Sequence, residues 1–196
     1  MEIIAARRSI RRFEEKEIPP EVLQRVMEAA IQAPSGKNKQ PWRFIVAGGT
    51  HRDSLCNAMS MGIDHFEVFA QQNGISRSGV PDAKNTLRIM RQAPIIVLVL
   101  NEYSGSPFSP IDGVDHMSEI IDTQSIGAAI QNMLLAATDQ GLGSLWICNT
   151  TFAYDELSAW IGSEKQLVAA VALGYPAEAP GPRPRLPLAS VVEYRL

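Results

Sequence analysis

Apolar residues along this chain alternate between helical and strand-like spacing. Val22, Leu23, Val26, Met27 and Ala30 recur every three or four positions, which predicts an amphipathic helix over 20–32. Pro20 suits its first turn, and Pro34 to Gly36 end it. Trp42 to Ala47 (WRFIVA) reads as a strand, closed by Gly48-Gly49. Residues 50–60 and 83–92 return to helical spacing, whereas 61–80 is polar and poorly patterned. Ile95 to Leu100 (IIVLVL) is a continuous apolar run of strand length, which predicts a strand buried on both faces. Residues 117–140 form the longest helical candidate. Its stretch IGAAIQNMLLAA is apolar nearly all round, so more than one side is covered, by the core or by a second subunit. Strands at 142–148 and 167–173 flank a helix at 154–160, and 188–194 reads as a last strand. Residues 2–7 are helix-compatible, and 8–17 are extended and polar. The pattern predicts a mixed α/β core with sheet between helical layers.

Two stretches have no period. Residues 101–115 (NEYSGSPFSPIDGVD) form a loop long enough to be a lid or a binding loop. The segment GYPAEAPGPRPRLP is proline-rich and extended. Neither marks a boundary and no repeat occurs, so 1–196 reads as a single domain.

Composition narrows the class. With 45% apolar residues and a net charge of −3, the chain supports a sizeable core rather than disorder. No apolar run reaches membrane-spanning length. The start, MEIIAARRSIRR, places its basic residues after the apolar stretch, the reverse of a secretory signal. Cys56 and Cys148 make no disulfide framework. A cytoplasmic protein with no membrane and no nucleic-acid partner is expected, since nucleic-acid binding usually shows as a basic surplus.

The charge is nevertheless uneven. Arg7, Arg8, Arg11 and Arg12 crowd into six residues, and Arg183 and Arg185 form a second group. In an extended segment, residues two apart share a face, so Arg7, Ser9 and Arg11 can point together, as can Arg183 and Arg185. Guanidinium forks match phosphate oxygens, and a serine hydroxyl adds a donor. A phosphate held between the groups is one reading; solvated surface charge is the other. No G-x-x-x-x-G-K-[ST] loop is present. Gly141-Leu142-Gly143 follows a helix and meets Trp146 where a dinucleotide fingerprint needs a small residue. His51, His65 and His116 lack ligand spacing, so no metal is expected. Cys148 reads as a small buried hydrophobe at a strand end. The loop APSGKNKQPW, residues 33–42, carries more hydrogen-bonding capacity than a connector needs. A pocket without an evident acid, base or nucleophile is consistent with borrowed cofactor chemistry.

Four motifs, in order and over nearly the whole chain, resemble the FMN-dependent nitroreductase superfamily: RRSIRRF, APSGKNKQPW, DTQSIGAAIQNMLLAATDQGLGSLWI and ALGYPAEAPGPRPRLPL. The resemblance implies an α+β fold, a three-layer α/β/α sandwich with a mostly antiparallel central sheet, in a domain-swapped homodimer. The variable substrate-pocket region would lie at about 60–116. It implies FMN as cofactor and NADH or NADPH as electron donor, with ping-pong hydride transfer to flavin N5 and then to a nitroaromatic, quinone or similar acceptor. Arg7, Arg8 and Ser9 would serve the FMN phosphate, with Arg183 and Arg185 completing that site, and Arg11 the pyrimidine edge and the charge that builds there. Pro34, Ser35, Gly36, Lys37, Asn38 and Gln40 would line the flavin, often from the other subunit. Ile147, Cys148 and Asn149 would lie beside N5, where many members carry glycine or an acidic residue. Reductive dehalogenation, flavin fragmentation and non-catalytic FMN storage are the alternatives the resemblance allows.

Overall fold

The computed structural model describes residues 2–196. Strands β1 (Trp42–Gly48), β2 (Ile95–Asn101), β3 (Gly143–Ile147) and β4 (Gln166–Gly174) form one sheet in the order β1-β2-β4-β3, with every neighbouring pair antiparallel. Helices α1 (Glu2–Ala6), α2 (Pro20–Ala30), α3 (Gly49–Gln72), α4 (Val80–Gln92), α5 (Gly113–Asp139) and α6 (Tyr154–Ile161) surround it. Side chains of β2 alternate between two apolar layers. Ile96, Leu98 and Leu100 meet α3, α4 and α6, whereas Val97 and Val99 meet α2 and α5. Burial on both faces is why β2 reads as an unbroken apolar run. Each such side chain contributes about 1.5–3 kcal/mol over an exposed position. The expected three-layer sandwich on an antiparallel sheet is what forms.

Three elements differ from expectation. Residues 61–72 continue α3 without a break: Gly62, Ile63 and Ala70 are buried at helical spacing, and interleaved polar residues hide the period. Gly62 permits close approach, since a Cβ there would lie 2.3 Å from Ala153 Cβ and 2.4 Å from Ala153 Cα. Helix α5 starts at Gly113, ahead of the expected 117, because Asp112 caps it; the carboxylate accepts from the N–H groups of Val114 and Asp115, both at 2.9 Å. The remaining loop, 102–112, is pinned near its start and at its middle. Gln166 N–H donates to the Ser104 carbonyl at 2.8 Å, and Phe108 meets Tyr154 edge-on at 5.2 Å between ring centroids.

No strand forms at 188–194. That segment holds one 3₁₀ turn, Leu188–Ser190, followed by an exposed tail that pairs with no strand. β1 is likewise paired on one side only. Apolar residues of the first half of α5, Val114, Met117 and Ile121, are exposed, whereas from Asp122 to Ala137 one face of the helix is buried. Among the described residues, no helix is long and apolar enough to cross a membrane.

Candidate functional site

The N-terminal segment lies along the free edge of β3. Ser9 bridges to Ser144, and Ile10 N–H donates to the Ser144 carbonyl at 2.9 Å. The other side is held by the tail after β4. Ala177 N–H donates to the Arg12 carbonyl at 3.0 Å, and Glu14 N–H to that of Tyr175 at 2.9 Å. Glu178 accepts from Arg11 N–H at 2.5 Å. Ile10 seats against Gly143, where a Cβ would come within 2.8 Å of it. The segment is thus an extended stretch held by two isolated bridges, between β3 and the residues that follow β4.

This clamp brings the two arginine groups together. Arg7, Arg8, Ser9 and Arg11 face Arg183 and Arg185 across a cavity of about 270 Å³, with Pro180, Gly181 and Pro182 between them. The prolines fix φ, so the second pair is presented with little backbone freedom. Arg8 Nη1 donates to the Ala5 and Arg7 carbonyls at 2.6 and 2.9 Å, and Arg11 Nη1 to that of Ser9 at 3.1 Å. Arg8 Nε and Ser144 Oγ are buried with no hydrogen-bond partner. Among the described residues, no carboxylate side chain ion-pairs with Arg7, Arg8, Arg11, Arg183 or Arg185. Leaving a buried donor unmet costs about 1–3 kcal/mol. Glu178, which links the segment to the tail, was not a candidate on sequence; its only signal was a lone acid in a proline-rich run.

The polar loop lies elsewhere. Lys37, Asn38 and Gln40 have φ of 54°, 55° and 51°, a left-handed conformation that costs non-glycine residues about 1–3 kcal/mol each. Several bonds hold it. Ser35 Oγ accepts from Gln40 N–H at 3.0 Å, and Ser125 Oγ of α5 accepts from Gly36 N–H at 3.4 Å. Lys39 Nζ reaches Asp122 of α5 at 2.6 Å and lies 4.2 Å from the centre of the Tyr103 ring. Asp122 is 2% exposed, whereas Pro34, Lys37, Asn38 and Gln40 are turned to solvent. Lys39, passed over on sequence, is the anchor. An acid inside a nearly all-apolar helix was the signal that a cation must meet it.

The third group follows β3. Ile147 is buried, but Cys148 is exposed rather than the buried hydrophobe expected, because the chain leaves the sheet there. Partial desolvation still raises its thiol pKa. The buried thiol is Cys56, pushed up to about 11 by desolvation against the opposing charges of Arg52 and Arg91. Asn149 Nδ2 donates to Asp82 and Thr86 of α4 at 3.1 and 3.0 Å. Strand register sets Ile147 level with Ile45, three residues short of Trp42, on the opposite edge of the sheet. Three interstrand steps alone, about 14 Å, separate those edges. One chain therefore holds the polar loop away from Ile147–Asn149.

The nitroreductase family model matches residues 4–175. The chain belongs to the nitroreductase family. Among family relatives with curated names, the iodotyrosine deiodinase of Thermotoga neapolitana is 28% identical over 95% of this chain and 91% of its own length. A Desulfovibrio desulfuricans protein assigned as a nitroreductase and crystallised in complex with FMN is 31% identical. It matches with a TM-score of 0.71 over 100% of this chain and 95% of that one. The FMN-dependent nitroreductase NfnB from Mycobacterium smegmatis, solved in complex with NADPH, is 21% identical. It shares the fold with a TM-score of 0.72 over 99% of this chain and 96% of that one. The nitroreductase fold thus covers the chain from the arginine-rich start to the arginine-bearing tail.

Proposed function

We propose that this nitroreductase-family chain is an FMN-dependent oxidoreductase. It takes hydride from NADH or NADPH and passes electrons to a nitroaromatic, quinone or similar acceptor, in two half-reactions and as a cytoplasmic homodimer. The observation that carries this reading is the cationic cavity, in which two sequence-distant arginine groups converge with a buried guanidinium N–H left unpaired. A phosphate monoester supplies the charge and acceptor oxygens this cavity lacks. Its residues therefore fit the FMN tail.

When bound, FMN supplies hydride acceptance and release at ring nitrogen N5. The chain does the rest. Arg7, Arg8, Ser9, Arg183 and Arg185 hold the phosphate by charge-assisted hydrogen bonds. Arg11, fixed in an immobilised segment, keeps a positive charge ready for the electron density that reduction adds, at no reorganisation cost. The edge of β3 leads from Ser144, beside the cavity, to Ile147, Cys148 and Asn149, which are assigned to the ring. The strained loop from Pro34 to Gln40 is assigned to the ring bound in a second copy, since one chain keeps it at least about 14 Å away, the width of three interstrand steps. The exposed first half of α5, the unpaired edge of β1 and the partnerless tail supply surface for that copy. The chain offers no acid or base there, so bringing donor and acceptor close to the bound cofactor would do that work.

The purified protein should be yellow, and anaerobic addition of NADH or NADPH should bleach its absorbance within seconds. A protein that stays colourless when FMN is supplied overturns the reading. FMN that binds but is not reduced leaves a flavin carrier. The deiodinase relative favours one second reading, reductive dehalogenation. Reoxidation of the bleached protein by a halogenated tyrosine, and not by a nitroaromatic or quinone, would establish it.

A further inference from the structure

A second cavity, on the side of the sheet covered by α3 and α6, has chemistry unlike the first. It measures about 370 Å³ and shares no lining residue with the arginine cavity. Five rings line it: Phe66 and Phe69 of α3, Phe108 of the loop after β2, Phe152, and Tyr154 at the start of α6. Four of them form edge-to-face pairs, Phe66 with Phe152 at 4.9 Å and Phe108 with Tyr154 at 5.2 Å between centroids. The Tyr154 hydroxyl accepts from Leu167 N–H at 3.2 Å, which holds that ring in place. Asp155 and Glu156 complete the wall, and neither lysine nor arginine lines it. His65 Nδ1 meets Glu156 Oε1 at 2.7 Å, whereas Oε2 has no hydrogen-bond partner among the described residues. The Glu156 side chain is 19% exposed. Acids suit the first turn of any helix, but four phenylalanines gathered around them do not follow from that. Phe69 and Phe108 are 54% and 67% exposed, which leaves large apolar area in water.

We propose that this cavity binds a small organic cation of the alkylammonium or pyridinium class, seated on the ring faces with its charge toward Glu156. The electrostatics select that class. An aromatic ring is negative on its face, so five rings and two carboxylates give the cavity one sign. An anion would be repelled. A neutral apolar molecule would gain burial but leave Glu156 uncompensated. An alkylated ammonium spreads its charge over carbon and asks for no directed hydrogen bonds, so ring faces can replace its water. The His65 imidazole can donate to the carboxylate and orient it without removing its charge.

The test is a nuclear magnetic resonance titration of the full-length protein, with and without FMN, at pH 8, where an ordinary imidazole is neutral. The probes are choline, its uncharged isostere 3,3-dimethylbutanol, and benzyltrimethylammonium. Choline should bind at least about fivefold more tightly than the isostere. Benzyltrimethylammonium should bind more tightly than choline, and added salt should weaken both cations. Phe69→Leu and Phe108→Leu keep an apolar side chain and remove the ring. Each should weaken cation binding by about two- to fivefold and leave the isostere unaffected. Glu156→Gln should weaken the cations by a similar factor. Melting temperatures of the three variants report any loss of fold. Equal affinity for choline and the isostere leaves an apolar crevice and overturns the proposal. Absence of any saturable shift overturns it too, as does binding that all three substitutions leave unaltered. Binding seen only with FMN present places the cation on the flavin, and binding seen only on dilution of a homodimer gives the cavity to a second copy; either result overturns this site.

Discussion

Replacing Lys39 by methionine keeps the length of the side chain and removes its charge, leaving Asp122 in α5 without a counter-ion. The cost follows from the surroundings. Exposed pairs are worth about 0–1 kcal/mol, and removing one member of a fully buried pair costs about 3–5 kcal/mol. Here the Asp122 side chain is 3% exposed and that of Lys39 32%, so water partly screens the cation and hardly reaches the anion. An intermediate penalty of about 2–3 kcal/mol is expected. In a chain of this size it lowers the melting temperature by about 4–12 °C. Asp122→Asn should cost less, because an amide in that position is neutral and can bond to its neighbours. Guanidinium unfolding of the FMN-free protein at fixed concentration measures both variants and their double mutant. Coupling should be clear: the double variant should be more stable than the sum of the single losses implies. A Lys39→Met loss below about 0.5 kcal/mol, or strict additivity, would refute the anchor. The strained residues Lys37, Asn38 and Gln40 would then need another restraint.

Other outcomes follow from the same geometry. Arg183→Ala should weaken FMN retention by roughly ten- to a hundredfold, the worth of a charge-assisted bond, with little change in flavin potential; equilibrium dialysis of FMN checks this. Arg11→Ala should do the reverse, lowering the potential and slowing hydride uptake more than it weakens binding, as stopped-flow reduction by NADH or NADPH would show. Gly62→Ala should destabilise the protein by about 1–3 kcal/mol through overpacking against Ala153, measured by chemical denaturation. At pH 8 a thiol reagent should label Cys148 and spare Cys56 in the folded protein, read by mass spectrometry. Because the Cys56 thiol is raised to about 11 in the fold, its contribution is full below the ordinary thiol range and is lost as pH climbs through that range toward 11. The stability advantage of wild type over Cys56→Ala should shrink over that window.

The strongest sequence signals were those with one physical cause. The run at Ile95–Leu100 has no other use than a strand covered on both faces, and the spacing around Val22–Ala30 matches a helix with one buried side. Both elements form as expected. The signal failed where tertiary contact overrode local pattern. Residues 61–72 stay helical because Gly62 lets α3 meet Ala153 at backbone distance, a constraint invisible in the polar residues around it. The tail at 188–194 has strand-like alternation, but it docks on no strand of its own chain. The arginines were legible as a pair of groups, yet the reason they converge was not. That reason lies in Glu178 and the backbone bonds between residues 10–14 and 175–177, which depend on register rather than residue type. Lys39 was passed over because its neighbours fit the family motif better, though the buried acid it serves stood in plain view in α5.

The clamp of residues 9–14 between β3 and the tail also sets a schedule for synthesis. The basic cavity joins residues near the start of the chain to Arg185, close to its end. During translation the first half can compact early, but the arginine-lined wall of the cavity cannot close until Arg183 and Arg185 have left the ribosome. Nascent chains stalled before Arg183 should therefore capture no flavin nucleotide, and acquisition of colour would report the emergence of that second arginine group.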